Sequence, residues 1–155
     1  MREMALVRSA ALAAMLLTVA GCGVSSSVAG RPVPASAVRR LTAIAEHAAR
    51  QSGDKHPVWA TVVLTTHAKA LTSATPGDYV PGSNGVPVYL LTIRGHFVCN
   101  YCTGPAGSKA PTGRYISLVL NAKTLTEMDF GLAPKAPPVA PASLGPVTYL
   151  IGHPA

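Results

Sequence analysis

Apolar residues recur along this chain with two different periods, and the change of period divides it. Between Ala37 and Gln51, Val38, Leu41, Ile44, Ala45 and Ala48 lie three or four apart, while Arg39, Arg40, Glu46 and Arg50 take the other faces. That spacing lines one side of a helix with apolar side chains. Ser36 is placed to cap the start and Gly53 to stop the end, so the pattern predicts a helix over 36–52. From Pro57 onward the period falls to two and β-branched residues dominate. Val58 to Thr66 reads as a strand with Val58, Ala60, Val62 and Leu64 on one face and Trp59, Thr61, Val63 and Thr65 on the other. Val86 to Val98, Arg114 to Leu120 and Thr126 to Leu132 read as three more strands, the last two joined by a turn over Asn121 to Leu125. Lys69 to Gly85 holds Pro76-Gly77, Pro81-Gly82 and Asn84-Gly85 and reads as a long loop, and Asn100 to Gly113 as another. The stretch from Ala133 to Ala155 has six prolines and one short apolar run, Val147 to Ile151.

This order implies one α+β domain: an N-terminal helix packed across one face of a four-stranded antiparallel sheet, or five-stranded if Val147 to Ile151 adds an edge strand. The divisions are 1–21, a tether at 22–35, the α+β domain at 36–132, and a proline-rich C-terminal tail at 133–155. The tether (GVSSSVAGRPVP after Cys22) is small, polar and proline-punctuated, and cannot bury enough apolar surface to offset the entropy of ordering.

The first 22 residues follow a third pattern. Arg2 and Arg8 precede an apolar run from Ala10 to Ala20, and small residues then lead to Cys22. A charged, apolar, then small order marks a secretory signal, and the run is shorter than the ~20 residues a membrane-spanning helix needs. Val19-Ala20-Gly21-Cys22 resembles a bacterial lipobox. That resemblance implies cleavage before Cys22, a diacylglyceryl thioether on its sulfur, a fatty acyl group such as palmitate on the new amine, and a chain held on the extracytoplasmic face of the cell membrane.

Tyr115 to Phe130 (YISLVLNAKTLTEMDF) resembles the strand–turn–strand that closes PepSY-like and cystatin-like exported domains. Those families carry Asp where this chain has Asn121 and Gly where it has Leu125. The likeness implies the same helix-first α+β arrangement and a part in partner binding or envelope regulation.

The chain has 13 basic and 6 acidic residues, a formal charge of +7. Apart from Arg39-Arg40 the cations are scattered and not interleaved with aromatics. This excludes the concentrated face of a nucleic-acid binder and favours an anionic lipid or envelope polymer as partner. Of the three cysteines, Cys22 is taken by lipid, which leaves Cys99-Asn-Tyr-Cys102 in a compartment that permits oxidation. A local disulfide between Cys99 and Cys102 is the leading reading. A redox dithiol is the alternative, but a helix N-terminus is what lowers a thiol pKa, and Thr103-Gly104-Pro105 does not open one. A third reading takes His96, Cys99 and Cys102 as metal ligands with His67 as a distant fourth; zinc closes its structural sites with four ligands. His47, His56, His67, His96 and His153 form no HExxH or other tight pair and read as solvated or hydrogen-bonded histidines. Ser73, Ser83 and Ser108 lack the Gly-x-Ser-x-Gly elbow. Glu127 and Asp129, two apart on a strand, are expected on one solvated face. Trp59 and Tyr89 read as packing residues. No cofactor, metal or catalytic residue is expected, and the domain reads as a non-enzymatic binding or structural module.

Overall fold

The computed structural model describes residues 30–74, 82–102 and 107–153. The segment read as a secretory signal, and Cys22 with it, lie outside them. Helix α1 (Ala35–Gln51) is followed by strand β1 (Trp59–Thr66), helix α2 (His67–Ala74), strands β2 (Pro87–Val98), β3 (Thr112–Asn121) and β4 (Glu127–Ala133), and strand β5 (Thr148–Ile151). The strands form one antiparallel sheet in the order β4-β3-β2-β1-β5. The fold is α+β, a helix on a five-stranded sheet.

Register explains both cores. Val62, Leu91, Leu118 and Phe130 pair in one row across β1 to β4 and share the face under α1. Leu41, Ala45 and Ala49 of α1 are fully buried against it, with Val38, Ile44 and Ala48 partly so. Val33 also enters this core, so the last residues assigned to the tether belong to the folded domain. The next row, Val63, Leu90 and Val119, faces the other way into a second core with Ala70 of α2 and Leu144. The sequence predicts cover on one face only. Its apolar pairs Val62-Val63, Leu90-Leu91 and Leu118-Val119 are what a sheet buried on both faces requires.

Three local readings need correction. Ser36 is not the N-cap: α1 starts one residue earlier, behind Pro34, which offers no side-chain cap. Val58 is half-exposed and precedes β1. The first part of the Lys69 to Gly85 loop is α2, in which Ala70, Leu71 and Ser73 are buried beside His67. The edge strand considered for Val147 to Ile151 forms as β5, paired with β1, and Val139, Leu144 and Val147 pack in the second core. Gly53, as expected, ends α1, with φ of 85° in the left-handed region where glycine carries no steric cost. At Gly95 the reason is space. The strand pairing shifts between Arg94 and Phe97, and a Cβ on Gly95 would strike the Asp54 carboxylate and sit 2.6 Å from the Phe97 ring. The gap lets Asp54 accept the backbone N–H groups of His56 and His96, each at 2.8 Å.

Candidate functional site

The densest group of chemically capable side chains is one that the sequence pattern did not assemble. His67 opens α2 directly after β1 and is 2% exposed. Its Nε2 lies 2.6 Å from Asp129 Oδ2 on β4, and its Nδ1 lies 2.7 Å from Ser83 Oγ. A carboxylate oxygen only accepts, so Nε2 carries a proton, and Nδ1 shares a hydrogen bond with the Ser83 hydroxyl, a group able to donate or accept. Three segments separated by 16 and 62 residues in sequence meet on one imidazole.

The position of Asp129 depends on a bulge. Val119 pairs with Asp129, but Leu120 pairs with Glu127, which leaves Met128 as the extra residue. An inserted residue reverses the alternation of faces. Asp129 therefore takes the face of Val119, toward α2, and Glu127 takes the face of Leu120. The expected solvated carboxylate pair does not form. Asp129 is three-quarters buried and bonded to His67, while Glu127 is exposed.

Serine, histidine and aspartate are also the members of a hydrolytic triad, but there serine bonds Nε2 and the acid bonds Nδ1. Here the ring is turned the other way. Ser73, the second serine considered, donates from Oγ to the Val139 carbonyl at 2.8 Å and ties α2 to the C-terminal segment. Ser108 is exposed. The His67 bond thus ties α2 to β4 and the Ser73 bond ties it to the C-terminal segment.

Cys99 and Cys102 are disulfide-bonded, with Cα atoms 5.3 Å apart. Cys99 is fully buried at the end of β2, and its N–H donates to the Pro111 carbonyl at 2.9 Å. Tyr101, between them, is exposed and meets the Phe130 ring edge-on at 5.7 Å. Residues 100–102 form a turn. The bridge closes only four residues, and loop-closure entropy assigns so small a ring about 2 kcal/mol or less. Cys99→Ser/Cys102→Ser is expected to keep the fold and lose no more than that in urea unfolding; a loss twice as large would show packing that the bridge alone maintains.

His96 is exposed, Cys99 and Cys102 are bonded to each other, and His67 is held by Ser83 and Asp129, so these four do not converge as a ligand set. Among the described residues no group of three or more His, Cys, Asp or Glu side chains could hold a metal ion, and no helix is long and apolar enough to cross a membrane. His47, His56 and His153 are exposed. Trp59 packs edge-on to Tyr115 at 6.1 Å, and Tyr89 is buried beneath α1.

No family model, curated protein or solved structure matches this chain.

A side chain that sequence reasoning set aside as packing also faces a groove. Tyr89 lines a groove of about 270 Å³ between the first turn of α1 and the β3–β4 turn, together with Ser36, Arg40 and Lys123. The β3–β4 turn is fixed by Asn121, whose Oδ1 accepts the N–H groups of Lys123 at 2.9 Å and Thr124 at 3.2 Å. Leu125 completes it at φ of 60°, a left-handed conformation that ordinarily favours glycine.

Proposed function

We propose that this protein is an exported bacterial lipoprotein, anchored through Cys22 to the extracytoplasmic face of the cell membrane, whose α+β domain is a non-enzymatic binding or structural module of the envelope. The observation that carries this reading is Val19-Ala20-Gly21-Cys22 at the end of a charged and then apolar segment. The use of the reactive side chains supports the second half. His67, Ser83 and Asp129 join three segments of the fold, and Cys99 and Cys102 close a turn. The helix-first α+β order and the left-handed residue at Leu125, where PepSY-like and cystatin-like domains carry glycine, support a likeness to those exported domains. Fold likeness alone is a poor guide to activity, so the partner must be found directly.

Crosslinking in the native membrane, followed by identification of what is captured, tests the module. The expected result is a reproducible envelope protein or polymer captured equally by wild type and by Cys99→Ser/Cys102→Ser. The alternative is a thiol–disulfide protein acting through the same two cysteines, favoured by the partial exposure of Cys102. Insulin reduction or dithiol oxidation by the purified domain, abolished in the double variant, would replace the proposed function with that one.

A further inference from the structure

Three features converge at the end of the domain where the chain arrives from Cys22. Arg40 and Lys123 are both exposed and line the same groove, one from α1 and one from the β3–β4 turn. The first turn of α1 beside them holds no acidic residue and has no side-chain cap. Tyr89, only 4% exposed, forms part of the lining, and no described group hydrogen-bonds its hydroxyl. The hydroxyl itself is not sealed from solvent, so it opens into the groove as a free donor. Burial raises the phenol pKa above its ordinary 10.0, so the hydroxyl remains a donor. Two cations and a preset hydroxyl donor around a small groove match a phosphoryl group, which accepts several hydrogen bonds and carries negative charge. Glu127, the nearest acid along the chain, is not in the lining.

Location selects the source of that phosphoryl group. Pro34 belongs to the groove, and Val33 is the first of the described residues in the core under α1. The leash from Cys22 to Val33 is eleven residues, at most ~40 Å when fully extended, and ends at the groove itself. We propose that this groove binds the phosphate headgroup of an anionic phospholipid in the leaflet that holds the Cys22 anchor, so that the domain sits on the membrane in one orientation with α1's N-terminal end down. The proposal rests on the lipoprotein reading for the lipid source but not for the chemistry of the groove.

The test uses the mature chain, residues 22–155, with Cys22→Ser so that no acyl chain contributes. It is sedimented with vesicles of phosphatidylglycerol and phosphatidylcholine, and with phosphatidylcholine alone, at physiological salt. Binding to the anionic vesicles only is expected. Near such a surface each cation contributes about fivefold in affinity, so Arg40→Gln/Lys123→Gln should weaken binding by about 25-fold. Arg114→Gln/Lys135→Gln removes the same charge from exposed positions outside the groove and should cost less than half as much on a logarithmic scale. Tyr89→Phe leaves the charge unchanged and should weaken binding several-fold, while the two exposed substitutions decide the matter if that variant folds poorly. Equal losses from the two charge pairs, or no binding by wild type, would overturn the groove. Full competition by inorganic phosphate at the same affinity would overturn the lipid and leave a soluble-anion site. Acyl labelling of Cys22 in the full chain, measured separately, tells the two failures apart: an unlabelled Cys22 defeats the anchor, and a labelled one without vesicle preference defeats the groove alone.

Discussion

Leu41→Ala is expected to lower the free energy of unfolding by about 2–5 kcal/mol, the range for deleting a buried leucine side chain whose surroundings relax only partly. Leu41 is fully buried in the core between α1 and the sheet, and its neighbours on the helix, Ala45 and Ala49, are too small to fill the space. A domain of this size has only about 5–15 kcal/mol in total, so the variant should unfold at a much lower urea concentration with an unchanged slope. Arg40, next to it in sequence but exposed, should change stability by no more than about 0.5 kcal/mol when replaced with alanine. Similar losses from the two variants would mean that α1 lies on the sheet by another face.

His67→Ala should cost about 2–4 kcal/mol, because it removes a buried ring together with its hydrogen bond to the largely buried Asp129 carboxylate. The Asp129 carboxylate, three-quarters buried, loses the Nε2–H donor at 2.6 Å, and the Ser83 hydroxyl loses Nδ1 at 2.7 Å. A double-mutant cycle with Asp129→Ala isolates the shared part. His67 and Asp129 should show a coupling above about 1 kcal/mol, whereas His67 and the exposed Glu127 should be additive. Additivity in the first pair would show that the imidazole is held by packing alone.

The helix and the four longer strands were legible because each rests on a repeating pattern. Leu41, Ile44 and Ala45 announce a helical face, and the alternation in β1 to β3 announces strands whatever packs on them. The short edge strand β5 was legible as an apolar run, Val147 to Ile151, in a proline-rich tail. Helix α2 was obscured by its own side chains: His67, Ser73 and Thr72 are polar, yet His67 and Ser73 are buried through partners distant in sequence. The contact between His67 and Asp129 spans 62 residues and depends on one bulged residue, Met128, which no alternation pattern reveals. Glu127 and Asp129 were paired by counting two residues along a strand, and the bulge reversed the count. The groove was hidden for a related reason. Arg40, Tyr89 and Lys123 are unremarkable in their own segments, and only the approach of the β3–β4 turn to the start of α1 brings them together.

The central claim is that the chain is processed and lipidated at Cys22. Mass spectrometry of the protein extracted from membranes of a host that processes bacterial lipoproteins tests it most directly. The expected N-terminal peptide begins at Cys22, carries diacylglycerol in thioether linkage, and has lost residues 1–21. A membrane-extracted chain that keeps residues 1–21, or one whose Cys22 is an unmodified thiol, would contradict it.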